Sequence, residues 1–386
     1  MCSLSTCKME VTMETIINVG ADVHKDTNSV CMFDWNEGSF FAEAVIGPGV
    51  ENMIKYIEKS RKEYGLGNDY RFLIGYEAGP TGYGLCRGLQ KKGYDCVIMA
   101  PTTIKKSSSD KRKKTDRRDA KMLAMALATD TYRRVHVLDD EDEGAREFTR
   151  ARNSLKRELK QAKQMLLSFL LRIGRSYPDS GNYWTLKHRK WLETLKFEDR
   201  KLNYAYRSYL QQMKDLEARL ALMDEEIESI ADEDRYKDKV DKLVCFSGVD
   251  TQTALTLVVE IGDFERFATA EQFASYIGLV PGEDSSGQKK RIGSITKEGN
   301  SRVRLVLTEA AKAIKRSNPF NKSKRILERQ KGQSPDIIAY ADRGSKRIRQ
   351  KMARMDDHGK NKNVSTTAGA RELACFVWGM MTGNIA

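Results

Sequence analysis

Four acidic residues stand where divalent-metal chemistry would need them. Asp22 closes the apolar run Thr15-Ile16-Ile17-Asn18-Val19-Gly20-Ala21, and Glu77 closes Tyr70-Arg71-Phe72-Leu73-Ile74-Gly75-Tyr76. β-Branched and aromatic side chains are dense in both runs, so each reads as a buried strand ending in a carboxylate, with Gly20 letting the first one bend. Asp116 and Asp119 are three apart at the start of an alanine-rich helical stretch, so they share one helical face. A carboxylate at the rim of a buried strand is costly without a partner. If the four meet, they cannot all stay ionised without cations, and hard oxygen ligands suit Mg²⁺ or Mn²⁺. A pair of such ions can activate an attacking oxygen and steady a leaving oxygen in phosphodiester chemistry. Taken singly, each acid also reads as a solvated surface charge, Asp119 above all.

Two basic stretches point to a polyanionic substrate. Lys105, Lys106, Lys111, Arg112, Lys113, Lys114, Arg117 and Arg118 crowd around the second acid pair and would attract a phosphate backbone. Their bland reading is a solvated loop. Further on, Ser285-Ser286-Gly287 lies in a Gly/Pro-flanked loop followed by Lys289, Lys290 and Arg291, with Lys297 and Arg302 beyond. A serine hydroxyl there could attack a phosphodiester while cations stabilise the charge on phosphorus. From spacing alone, ordinary turn chemistry explains Ser-Ser-Gly better.

The whole chain agrees with that leaning. It has 386 residues, too many for one ordinary core, and a formal net charge of +13, which favours nucleic acid as partner. Its 7 cysteines include no Cys-x-x-Cys, and its 4 histidines give no zinc-ligand spacing. They read as reduced thiols of a cytoplasmic protein. No apolar run is long enough to cross a bilayer, so no membrane is expected.

The elements that must position these residues can be read in order. Residues 1–14 read as a loose, disordered tail. Residues 15–142 give three strands, helix, strand, helix and strand. Three antiparallel strands followed by α/β crossovers is the layout of an RNase H-like mixed sheet. Residues 143–238 are long helices. The second carries a heptad seam, Leu202, Tyr206, Tyr209, Met213, Leu216, Leu220, Met223, Ile227 and Ile230. It could close an intramolecular hairpin or a dimeric coiled coil. Residues 239–386 form a mainly helical third block. Its Phe246-Ser247-Gly248-Val249-Asp250 resembles a helix-hairpin-helix turn offering N–H groups to phosphate. Residues 317–363 are basic and poorly patterned, a partly helical or mobile arm, and Val364 to Met381 closes the chain as a helix.

Several short motifs, in order, resemble one family. Gly20-Ala21-Asp22-Val23-His24-Lys25, Glu77-Ala78-Gly79-Pro80-Thr81-Gly82 and Lys114-Thr115-Asp116-Arg117-Arg118-Asp119-Ala120 are similar to the N-terminal motifs of the DEDD transposases of the insertion-sequence "one-ten" family. Phe246 to Val249, Ile261 to Phe264, Gly278 to Pro281, Ser285 to Gly287, Gly293 to Lys297 and Gly299-Asn300 resemble its C-terminal transposase domain. The resemblance implies a RuvC-like domain whose tetrad, here Asp22, Glu77, Asp116 and Asp119, binds Mg²⁺. It implies a serine, Ser285 or its neighbour Ser286, that becomes covalently joined to DNA. It further implies donor and target DNA selected by an element-encoded bridge RNA, and a homodimer or homotetramer. Here Phe246-Ser247-Gly248-Val249-Asp250 replaces the family's more usual Pro-Gly-Ile-Gly. The leading expectation is therefore an RNA-guided DNA recombinase. A RuvC-like structure-selective endonuclease and a non-catalytic nucleic-acid scaffold are the alternatives. The acid tetrad argues against the scaffold, because a pure binder gains little from negative charge beside phosphate.

Overall fold

Alternation along two neighbouring strands decides what each face of the N-terminal sheet carries. The computed structural model describes residues 15–101, 116–179, 181–286 and 289–385. It divides the chain into two units, Met1–Asp139 and Asp140–Ala386. The expected tail at 1–14, and Lys105, Lys106, Lys111, Arg112, Lys113 and Lys114, lie outside the described residues.

The first unit contains β1 (Thr15–Val23), β2 (Asn28–Asp34), β3 (Ser39–Ile46), α1 (Val50–Glu63), β4 (Tyr70–Glu77), α2 (Gly84–Lys91), β5 (Asp95–Met99) and α3 (Asp116–Ala128). The strands form one sheet in the order β3-β2-β1-β4-β5. The first three are antiparallel, whereas β4 runs parallel to β1 and β5 parallel to β4. Parallel neighbours need a crossover, and α1 and α2 supply the two. Ile17, Val19 and Ala21 of β1 and Phe72, Ile74 and Tyr76 of β4 pack with Met53, Ile57, Cys86 and Leu89 from those helices.

The opposite face therefore takes Asn18, Gly20 and Asp22 from β1 and Leu73, Gly75 and Glu77 from β4. Helix α3 lies on it. Gly20 and Gly75 are register partners. A Cβ on Gly20 would stand 2.1 Å from the Ala120 carbonyl oxygen and 2.3 Å from the Ala124 nitrogen. A Cβ on Gly75 would meet Leu127 at 2.7 Å. The sequence suggests a bend at Gly20; the structure gives it a different role, as the flat spot on which a helix backbone rests. Lys121 of α3 also bonds Glu43 of β3 at 2.6 Å.

The second unit begins with α4 (Asp140–Arg172), the short α5 (Leu186–Thr194) and α6 (Arg200–Ala231). Leu155, Leu159, Leu166 and Phe169 of α4 pack with Tyr206, Leu210, Met213 and Leu216 of α6. Arg152 reaches Asp224 and Lys163 reaches Glu217, each at 2.6 Å, so the two helices run antiparallel. Tyr206, Tyr209, Met213, Leu216, Leu220 and Met223 of the heptad seam thus pack in one core with α4 of their own chain.

The rest of the unit comprises α7 (Asp234–Leu243), α8 (Thr251–Ile261), α9 (Ala270–Tyr276), β6 (Pro281–Ser286), β7 (Lys289–Ile295), α10 (Ser301–Arg316), α11 (Lys324–Gln330), α12 (Pro335–Asp357) and α13 (Lys362–Met381). All of α8 from Ala254 to Ile261 is buried, among Val303, Leu307, Ala311 and Ile314 of α10 and Leu373 and Val377 of α13.

Two sequence expectations change here. Of the two readings of residues 317–363, partly helical or mobile, the structure has the helical one, and more of it: they hold α11, the 23-residue α12 and the start of α13. Helix α12 buries Tyr340, Ala341, Gly344, Ser345, Ile348 and Met352. That stripe has helical spacing, but alanine, glycine and serine fill half of it, so hydropathy does not reveal it. Ser285 and Ser286 belong not to a loop but to β6, antiparallel to β7 with Ser285 opposite Lys290 and Ser286 opposite Lys289. Four N–H donors at the α7–α8 turn are engaged. The N–H groups of Cys245, Phe246, Ser247 and Val249 donate to Lys242, Leu243, the Ser345 hydroxyl and Phe246. Among the described residues, no helix is long and apolar enough to cross a membrane.

Candidate active site

The sheet and α3 together determine where the acids of the first unit stand. Asp22 follows Gly20 by two residues on the face that α3 covers, and Glu77 follows Gly75 by two on the same face. Ala21 pairs with Tyr76, so Asp22 and Glu77 emerge side by side at the ends of adjacent parallel strands. Asp116 and Asp119 occupy the first turn of α3. Asp116 precedes Ala120 by one turn and so continues the stripe Ala120, Ala124 and Leu127 that rests on the sheet.

Asp22, His24 and Asp116 can each offer a ligand atom, and these atoms lie within 4.8 Å of one another. His24 Nε2 is 3.2 Å from Asp22 Oδ2. The group of mutually close ligand atoms does not extend to Glu77, at the end of the neighbouring strand, or to Asp119 in the first turn of α3. Burial pushes the Asp22 carboxyl above its ordinary value. His24 works against that rise, and the charges of Asp119 and Asp116 add to it. A carboxyl raised first by burial and then by neighbouring carboxylates is what a cation would relieve. The close carboxylates of Asp22 and Asp116, with the His24 imidazole beside them, fit a small hard dication. The sequence reading passed over His24, because one histidine two residues after an acid has no zinc spacing. Its signal lay in sharing the strand end with Asp22.

The basic residues described around this site are Arg117 and Arg118, both exposed in the first turn of α3. In the second unit, the β6–β7 pair carries Ser285, Ser286, Lys289, Lys290 and Arg291. Its base is clamped by two glycines. A Cβ on Gly278 would stand 2.1 Å from the Glu298 carbonyl oxygen, and one on Gly299 would stand 1.9 Å from that of Tyr276. The Thr296 and Lys297 N–H groups donate back to Val280 and Gly278.

Beside that clamp lies a buried charge absent from the sequence reading. Glu260, with a side chain 1 % exposed, takes Arg150 through Nε at 2.8 Å and Nη2 at 3.0 Å. Asn300 Nδ2 donates to it at 2.7 Å, and Arg302 stands 3.9 Å away. Burial pushes Glu260 up, but the bonds from Arg150 and Asn300 outweigh it and hold the carboxyl below its ordinary value. Asn300 also caps α10 by accepting from the Arg302 and Val303 N–H groups. Glu260 therefore ties α4, α8 and the start of α10 together. An acid inside an apolar run, Leu255 to Ile261, was the available signal.

The sequence matches known proteins along most of its length. Residues 19–174 match a family model described as a transposase, of the DEDD type named for IS110. Residues 241–325 match the model described as the transposase IS116/IS110/IS902 family. The chain is 37% identical over 308 residues to the putative transposase y4qE of Sinorhizobium fredii, covering 78% of this chain and 73% of that protein. It is 32% identical over 353 residues to the transposase for insertion sequence element IS1533 of Leptospira borgpetersenii, covering 90% of this chain and 99% of that protein. A probable family 20 transposase of Pseudomonas aeruginosa is 27% identical over 249 residues. The chain belongs to the IS116/IS110/IS902 family of transposases.

Proposed function

We propose that this transposase cleaves and exchanges DNA strands by divalent-metal-dependent phosphodiester transesterification, through a serine–DNA intermediate. An element-encoded bridge RNA selects donor and target DNA, and the working form is a homodimer or homotetramer in the cytoplasm. The observation that carries the metal-dependent reading is the gathering of Asp22, His24 and Asp116 within 4.8 Å. Glu77 at the adjacent strand end and Asp119, whose charge acts on Asp22, support it. The RNase H-like reading of the first unit is supported by three antiparallel strands with two parallel ones added on β1. The serine, the RNA and the assembly rest on the resemblance described above.

Asp22, Glu77, Asp116 and Asp119 would hold Mg²⁺ or Mn²⁺. When bound, the metal supplies charge compensation for a scissile phosphate and polarises its oxygens. His24 keeps Asp22 Oδ2 oriented by its hydrogen bond. The Ser285 hydroxyl oxygen bonds to phosphorus and releases its proton to solvent. The bond from phosphorus to the leaving sugar oxygen breaks, and that oxygen takes a proton. Lys289, Lys290 and Arg291, one strand away in register, would steady the phosphate charge.

The test is a denaturing gel of the protein incubated with element-end DNA, guide RNA and Mg²⁺. The wild type should give a covalent protein–DNA band. Asp22→Ala should lose both metal binding and the band, and Ser285→Ala should lose the band while keeping nucleic-acid binding. Full exchange by Ser285→Ala would move the nucleophile to Ser286. Strand cleavage with no covalent band would replace this mechanism with hydrolysis by a RuvC-like nuclease.

A further inference from the structure

We infer that the solvent face of α12 is a docking ridge for the sugar–phosphate backbone of duplex DNA, which rests on the reading of the chain as acting on DNA. Lys346, Arg347, Gln350, Lys351 and Arg354 recur at helical spacing. They lie opposite the buried stripe of Tyr340, Ala341, Ser345, Ile348 and Met352. With Glu372 of α13 they line an open groove of about 690 Å³.

Three features separate this face from an ordinary solvated one. First, its cations are held in place. Glu372, with a side chain only 10% exposed, binds Arg347 Nε at 2.6 Å and Lys351 Nζ at 2.7 Å. A carboxylate so buried requires partners, so it fixes both cations with little further loss of side-chain freedom on binding. Arg347 meets Glu372 through Nε and stays 66% exposed, so its guanidinium remains open to solvent and to an outside acceptor. Second, the face is nearly all donor. Lysine and arginine accept nothing, and the groove's one carboxylate is already engaged. A partner rich in acceptors and negative charge is therefore required. Third, the cations are arranged in a line. With Arg343 included, the stripe extends for roughly 16 Å at 1.5 Å per residue, room for several phosphates of one DNA strand.

The test is fluorescence anisotropy of the full chain on a labelled duplex of arbitrary sequence across a KCl series, with single-stranded RNA of equal length in parallel. Lys346→Ala/Arg354→Ala leaves Arg347, Lys351 and Glu372 intact, and its thermal midpoint should match the wild type. Losing two phosphate contacts should make the slope of log affinity against log salt shallower by about 2. Lys346→Arg/Arg354→Lys should restore the slope. A wild-type slope and affinity in the alanine variant, with the wild type binding the duplex normally, would overturn the ridge alone. A loss confined to RNA would also overturn it. No duplex binding by the wild type would overturn the ridge together with the DNA reading.

Discussion

Helices α3 and α4 meet their partners by opposite means. Where α3 crosses β1 there is no side chain at Gly20, so the Ala120 carbonyl and Ala124 nitrogen rest on its bare backbone. Between α4 and α6 the separation is filled by long apolar side chains and framed by Lys163–Glu217 and Arg152–Asp224. The first contact leaves the helix little room to shift, because backbone atoms face each other at Gly20. The second is broad and compliant, because each side chain has alternative rotamers and repacks. The carboxylates whose spacing matters stand on the first kind of contact. The 33-residue span of α4 is built on the second.

The largest test of that difference is Gly20→Val. A Cβ alone would already overlap α3 backbone, so relief requires lifting the helix that carries Asp116 and Asp119. The cost should be on the order of 5 kcal/mol in urea unfolding, in the rare severe class of single substitutions. Mn²⁺ binding followed by titration calorimetry should vanish even under conditions where the variant remains folded. Retained metal binding would show that α3 does not set the site.

Next is Leu166→Ala, at a fully buried position of the α4–α6 core. A truncated buried leucine costs about 3 kcal/mol. The acid cluster is built from residues of the first unit, so Mn²⁺ affinity should stay at the wild-type value. A parallel fall in metal affinity would erase the contrast between the two contacts.

The same contrast explains how much was legible in the sequence. Strands rich in Ile, Val and Phe announce themselves, and so do acids at their ends, because burial and charge conflict there. Asp22 and Glu77 were therefore visible as a pair of strand-end carboxylates before any coordinates. The Gly20–Gly75 register was not, because a glycine reads as a bend unless the helix above it is known. The stripe of α12 was invisible for a related reason: Ala341, Gly344 and Ser345 allow close packing without adding hydropathy, as where Gly344 lies against Phe246 and Phe376. Glu260 was missed because its partner Arg150 is distant in sequence, and His24 because a lone histidine beside an acid has no metal-ligand spacing. The basic composition of 317–363 obscured a helix that is half buried.

The smallest effect probes whether charge sharpens the compliant contact. Glu217 accepts from both terminal nitrogens of Arg189, at 2.6 and 2.7 Å, and bonds Lys163 of α4. The Arg189 bonds hold its carboxyl far down, at about 2, with burial opposing and Lys163 assisting. Its ordinary value is 4.5, so the folded state binds this proton more weakly than the unfolded chain. The stabilisation is therefore present above the unfolded value and is lost as pH falls through about 2. A shift of that size corresponds to roughly 3 kcal/mol unscreened. Solvent reaches all three side chains, which reduces it to about 1 kcal/mol at neutral pH. Glu217→Gln should lose that amount in urea unfolding at pH 7, and less in high salt. Its deficit against the wild type should shrink steadily between pH 4.5 and 2. A deficit independent of pH would mean that the glutamate acts through shape and packing, and that the α4–α6 contact owes nothing to its charges.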